Sequence, residues 1–91
     1  MTHHTLDFKG INLHYQDEGN GDIALVLIHG FMMDLRVWSY YVFSYMREIR
    51  VVTIDLLGHG QSEWFEDTPC TMELQAEAIK TVLDHLDIKE C

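Results

Sequence analysis

Two unbroken apolar runs, each closed by a glycine turn, organise this chain. The first is Ile23-Ala24-Leu25-Val26-Leu27-Ile28, followed by His29-Gly30-Phe31. The second opens on Val51-Val52-Thr53-Ile54-Asp55, within a strand expected over Ile49 to Asp55, and continues into Leu56-Leu57-Gly58-His59-Gly60-Gln61-Ser62. An apolar run of this length ahead of a glycine turn suits a strand buried on both faces. Between them Trp38, Tyr41, Val42 and Tyr45 recur at helical spacing, which predicts a helix over roughly Val37 to Glu48. Strand, helix, strand is a βαβ unit with parallel strands and a right-handed crossover.

Ahead of this unit the pattern changes to alternation. Ile11, Leu13 and Tyr15 share one face, and Asn12, His14 and Gln16 share the other. This predicts an antiparallel hairpin, Thr5 to Phe8 and Ile11 to Tyr15 joined by Lys9-Gly10, at a sheet edge with its polar face wet. Asp17 to Asp22, with Gly19 and Gly21, reads as a turn. After a long loop from Leu56 to Cys70, Thr71 is placed to cap a helix, with Glu73 in its first turn. Met72, Ala76, Ile79, Leu83 and Leu86 follow at spacings of four and three and predict its buried stripe. Asp87-Ile88-Lys89 reads as the exit. The fold class is therefore α/β: an antiparallel hairpin, then a parallel βαβ unit, then a further helix.

Composition narrows the function classes. The chain has 91 residues, enough for one small domain over 1–91. Its formal charge is −9, with only six lysines and arginines and no basic stripe. Nucleic-acid binding needs clustered positive charge and is not expected, nor is attraction to an anionic membrane. The longest apolar run, Ile23 to Ile28, is far short of the ~18–20 residues of a membrane span. Met1-Thr2-His3-His4-Thr5 is polar and unlike a secretory signal, so a cytoplasmic location is expected. Cys70 and Cys91 read as free thiols. No cysteine or histidine spacing suggests a metal, and no cofactor is implied.

The opening hairpin, the apolar strand ending in His29-Gly30, Trp38 near the start of the next helix, and Asp55-Leu56-Leu57-Gly58-His59-Gly60-Gln61-Ser62 together resemble the α/β-hydrolase family. The last stretch matches the family's D-x-x-G-x-G-x-S turn. The resemblance covers about Leu6 to Cys91, the N-terminal part of the fold. In that fold ligands lie beyond the carboxyl ends of the strands, where both glycine turns fall. By matching position, the resemblance implies that Phe31 gives a backbone N–H to the oxyanion hole. It implies that Gly30, Phe31 and Met32 contact substrate, with Trp38 as a further wall or core residue. Asp55 and Ser62 are expected to scaffold their turn by accepting backbone N–H groups.

The family's nucleophile sits in a G-x-S-x-G elbow, and no such run occurs here. Gly60-Gln61-Ser62-Glu63-Trp64 lacks the second glycine, and Ser39 and Ser44 fall in the expected helix. The resemblance places the nucleophile, the acid and the catalytic histidine after residue 91, so His59 is not expected to be the base. His14 reads as a surface residue on the hairpin's polar face. Two functions follow. The chain is the N-terminal fragment of a hydrolase acting on a small carboxylic ester or thioester, carrying the oxyanion loop but no nucleophile. Alternatively it is an inactive product that acts only by association with another chain. The fold also hosts dehalogenases, epoxide hydrolases, peroxidases and C–C lyases. The strand Ile23 to Ile28 is expected to expose an apolar edge, a template for self-association.

Overall fold

The computed structural model describes residues 2–67 and 69–91. Strands β1 (His3–Phe8) and β2 (Ile11–Glu18) form the antiparallel hairpin. Its two-residue turn has Lys9 at φ 50° and Gly10 at φ 92°. Both are left-handed, as a type I′ hairpin turn requires. Strand β3 (Ala24–Ile28) is followed by a 3-10 turn, Leu35–Trp38, and helix α1 (Ser39–Tyr45). Strand β4 (Arg50–Ile54) then runs parallel to β3, with Val26 beside Val52 and Ile28 beside Ile54. Helix α2 (Met72–His85) follows, and Glu90 beyond it forms a parallel bridge with Ile23. The hairpin, the parallel βαβ unit and the further helix are all present.

The sheet order is β1-β2-β4-β3. This corrects two expectations for the hairpin. Strand β2 is an interior strand, because Tyr15 to Glu18 pair antiparallel with β4. Of the turn expected over Asp17 to Asp22, Asp17 and Glu18 belong to β2 and the connection begins at Gly19; Asp17 accepts two hydrogen bonds from Arg50 at 2.9 and 2.8 Å. His14 and Gln16, expected on a wet face, are buried. A β-strand with neighbours on both sides hides its polar face whenever other elements cover it, and alternation alone does not reveal those neighbours.

The α/β layers follow from strand alternation. Val52 and Ile54 join Leu13, Tyr15, Leu57, Ala78 and Val82 in one apolar cluster beneath α2. Val51 and Thr53 lie on the opposite face, which the 3-10 turn and α1 cover with Leu35 and Val42. Each fully buried valine or leucine of this kind stabilises the fold by ~1.5–3 kcal/mol. Strand β4 is buried from Val51 to Ile54, but only Ala24 of β3 is, because β3 is an edge strand.

Both helices differ from expectation in detail. The first is shorter than 37–48 and opens as a 3-10 turn capped by Asp34, whose carboxylate accepts the Arg36 N–H at 2.9 Å. Of its apolar stripe Val42 is buried, while Tyr41 and Tyr45 stay exposed. The second begins as expected, with Thr71 Oγ1 accepting the Leu74 N–H at 3.1 Å. Its buried stripe is Gln75, Ala78 and Val82, and Met72 is exposed. The rotation follows from Gln75, which accepts the Leu57 N–H at 2.9 Å and donates to Leu57 O at 3.3 Å. A polar residue is thus anchored inward where an apolar pattern skips it.

Candidate functional site

The carboxyl ends of β3 and β4 lie side by side, and the loops leaving them build the site. After β3, the Met33 N–H donates to Gly30 O at 3.2 Å, closing a four-residue turn. Met32 is left-handed at φ 62° and Phe31 is not. That combination is a type II turn with Phe31 and Met32 at its centre. A methionine at this position is strained by ~1–2 kcal/mol, a cost usually met by glycine or asparagine. Among the described residues the Phe31 N–H donates no hydrogen bond. The Phe31 and Met32 side chains are 82% exposed, far more than the core strands beneath them.

His29 locks the base of this turn. It is buried, and its Nε2 accepts the Leu56 N–H at 3.0 Å, so the ring's proton sits on Nδ1. Nδ1 donates to Gly30 O at 2.8 Å. One neutral imidazole thereby ties the end of β3 to the end of β4. Gly30 itself needs no special backbone conformation, and an added Cβ would meet only Met33 Sδ at 3.6 Å, an ordinary contact.

After β4, Asp55 organises the second loop. Its carboxylate accepts the Leu35 N–H at 2.7 Å, the Gln61 N–H at 2.9 Å and His14 Nδ1–H at 2.6 Å. Ser62 Oγ donates to Asp55 O at 2.6 Å and accepts the His14 N–H at 2.8 Å. Asp55 and Ser62 therefore pin the loop to β2 and to the 3-10 turn. His14 Nε2 in turn accepts the Nδ1–H of His3 at 2.7 Å. This chain of side chains is the structural role that sequence reasoning assigned to Asp55 and Ser62 and missed for His14.

An open cleft of about 550 Å³ lies between the two loops. Phe31, Met32 and Met33 form one wall, Leu57 and Trp64 another, and His59 and Asp34 supply its polar groups. The structure brings Phe31 and Met32 together here, while Gly30 and Trp38 do not line the cleft. Trp38 packs edge-on to Tyr41 with ring centres 5.9 Å apart. Met33, Asp34, Leu57, His59 and Trp64 are lining residues that sequence reasoning did not assign to the cleft. Asp34 is held near pH 2, well below the usual 3.8, chiefly by the side-chain hydrogen bonds from Arg36. Among the described residues no three histidine, cysteine or acidic side chains converge as a metal site, and no helix is long and apolar enough to cross a membrane.

Comparison with known proteins gives a consistent picture. A family described as alpha/beta hydrolase fold matches residues 23–91. The dihydrolipoyllysine-residue acetyltransferase component of the acetoin cleaving system of Pseudomonas putida is 41% identical over 70 residues, 77% of this chain and 19% of that protein. The pimeloyl-[acyl-carrier protein] methyl ester esterase of Sodalis glossinidius (strain morsitans) is 35% identical over 75 residues, 82% of this chain and 28% of its own length. Among solved structures, the Cif epoxide hydrolase from Acinetobacter nosocomialis superposes with a TM-score of 0.85 at 27% identity, over 92% of this chain and 26% of that one. The chain thus spans less than a third of the length of each of these relatives.

Proposed function

The chain belongs to the alpha/beta hydrolase fold family, of whose fold it covers the N-terminal part, and from that premise we propose that its cleft is the oxyanion and acyl side of a site cleaving a small carboxylic ester or thioester. The observation that carries this reading is the type II turn at Gly30–Met33. Among the described residues it leaves the Phe31 N–H without an internal partner at the carboxyl end of β3, beside an apolar cleft. A preorganised N–H at such a position stabilises the negative oxygen that develops when a carbonyl is attacked.

The cleft supplies binding and charge stabilisation, and the chain holds no G-x-S-x-G run to supply attack. In this reading a serine hydroxyl from outside these 91 residues adds to the carbonyl carbon. The Phe31 N–H and a second donor hold the oxyanion while the alcohol or thiol leaves, and water then releases the acid. In this reading the 91 residues supply binding and oxyanion stabilisation but not the nucleophile. The methyl ester esterase relative favours the ester reading. The epoxide hydrolase relative favours a second one, in which the same scaffold faces a ring-opening site.

A chimera tests the proposal. Residues 1–91 replace the matching segment of the esterase relative, and hydrolysis of a p-nitrophenyl ester is followed. Phe31→Pro is the informative variant, because proline suits the second position of a type II turn and removes the N–H, while Phe31→Ala keeps the N–H and accounts separately for the lost ring. An active chimera whose kcat falls ~10²–10³-fold on this change supports the donor role. An active chimera indifferent to Phe31→Pro removes it.

A further inference from the structure

His59 occupies an unusual place in the cleft. Gly58 at φ 74° and Gly60 at φ 54° flank it and fold the loop back on itself. Its backbone is fully tied, with its N–H on Leu56 O at 2.9 Å and its carbonyl accepting the Ser62 N–H at 3.0 Å. The ring is tied as well. Nδ1 donates to Leu57 O at 2.9 Å, the ring centre lies 5.2 Å from that of His29, and Phe31 meets it edge-on at 6.0 Å.

With Nδ1 committed to Leu57 O, Nε2 is the ring's remaining polar atom, and among the described residues it has no partner. The other titratable groups nearby are already engaged. His29 uses both ring nitrogens within the protein, and Asp34 is paired with Arg36 at 2.8 Å. The remaining cleft walls are apolar: Phe31, Met32, Met33, Leu57 and Trp64. A cleft of this kind complements a ligand with an apolar or aromatic body and one hydrogen-bonding head.

We propose that His59 determines the ligand class of the cleft, with Nε2 anchoring the carboxyl group of an arylalkyl or similarly apolar acid. A neutral ring accepts the proton of a carboxylic acid, and a protonated ring donates to a carboxylate, so one shared proton joins the pair from either side. The inference rests on the reading of this cleft as the acyl side of a hydrolytic site. His59 here contacts the ligand and performs no proton transfer in the chemical step.

The test is a titration of the full 91-residue chain with phenylacetate, followed by NMR of the imidazole nitrogens and backbone amides. The expected result is a shift of the His59 Nε2 resonance together with the Phe31 and Met32 amides, while His29 and His14 stay still. Two variants separate contact from folding. His59→Asn keeps a donor where Nδ1 stood and lacks Nε2, and it weakens phenylacetate binding by ~10-fold or more, as loss of one charge-assisted hydrogen bond predicts. His59→Gln restores a polar group near the Nε2 position and recovers most of the affinity. Binding by His59→Asn equal to wild type overturns the proposal. So do amide shifts at Phe31 and Met32 without a His59 shift, a result that leaves the acyl-site reading standing. No binding at all also overturns it, and the activity of the chimera then decides the hydrolase reading separately.

Discussion

His14 Nδ1 meets the Asp55 carboxylate at 2.6 Å although 41 residues separate the two in sequence. Both side chains are almost wholly buried. The contact joins an interior strand to the loop that forms half of the cleft, so the geometry of the site depends on a pair that never touches the ligand.

Removing the carboxylate leaves His14 and the Leu35 N–H buried without their acceptor and frees the Gln61 N–H at the loop surface. Asp55→Ala is expected to destabilise the chain by ~3 kcal/mol or more, because each buried donor left without its acceptor costs ~1–3 kcal/mol. Urea unfolding followed by circular dichroism measures this. A loss below ~1 kcal/mol would show that the loop finds other partners.

Gly60 is left-handed at φ 54°, and a Cβ there would run into the Asp55 carboxylate. Gly10 is also left-handed, at φ 92°, yet nothing lies within 4 Å of the same position. Gly60→Ala should therefore lower the melting temperature more than Gly10→Ala, which carries only the ~1–2 kcal/mol backbone penalty. Equal effects would show that the loop moves away from the added methyl at no cost.

Asp34 provides the pH dependence. Its folded value of about 2 lies below the ordinary 3.8, with the Arg36 side-chain hydrogen bonds as the main cause. A depressed carboxylate contributes stability above its unfolded value and loses it as pH falls through the folded one. The cap of the 3-10 turn should thus hold at pH 5 and weaken between about 3.8 and 2. Arg36 is exposed, so solvent screens the pair and the effect on global stability is small. Carboxyl NMR of Asp34 should show a midpoint near 2 that moves up toward 3.8 in Arg36→Ala. An unchanged midpoint in that variant would assign the shift to another group.

The outer edge of β3 is expected to pair with another copy of the chain. The Ala24 N–H donates to Glu90 O at 3.1 Å, which sets the phase of that edge. Backbone groups of Ala24, Val26 and Ile28 therefore face outward, and those of Leu25 and Leu27 face β4. No charged residue guards the strand from Ala24 to Ile28. Val26→Pro removes an outward N–H while leaving the β4 ladder intact, which edge strands tolerate. Sedimentation velocity should show association for the wild type and a monomer for Val26→Pro. A monomeric wild type would rule the edge contact out.

Hydrophobic periodicity carried the fold class because it reports local physics. Six consecutive apolar residues bounded by glycine turns read as a short buried strand, and Thr71 caps α2 through an atom three residues away. The Lys9-Gly10 turn, the parallel pair and the glycine turns at the strand ends were legible for the same reason. The D-x-x-G-x-G-x-S pattern also announced a scaffolding Asp55 and Ser62, because their partners Gln61 and the Asp55 carbonyl lie within the same loop.

Only the tertiary structure decided which polar residues go inside. His14 is buried because β4 pairs with β2, and that pairing depends on residues from 15 to 54 meeting in space. Gln75 turns inward because Leu57 offers it a backbone N–H and carbonyl, which rotates the buried stripe of α2 away from Met72. His59 and Trp64 line the cleft for a similar reason: the loop after β4 folds over the end of β3 and sets their side chains opposite Phe31 and Met32. Burial of an apolar side chain is favourable against almost any neighbour, so sequence pattern foretells it. Burial of a polar one is favourable only against a matching partner, and the partner's position belongs to the fold.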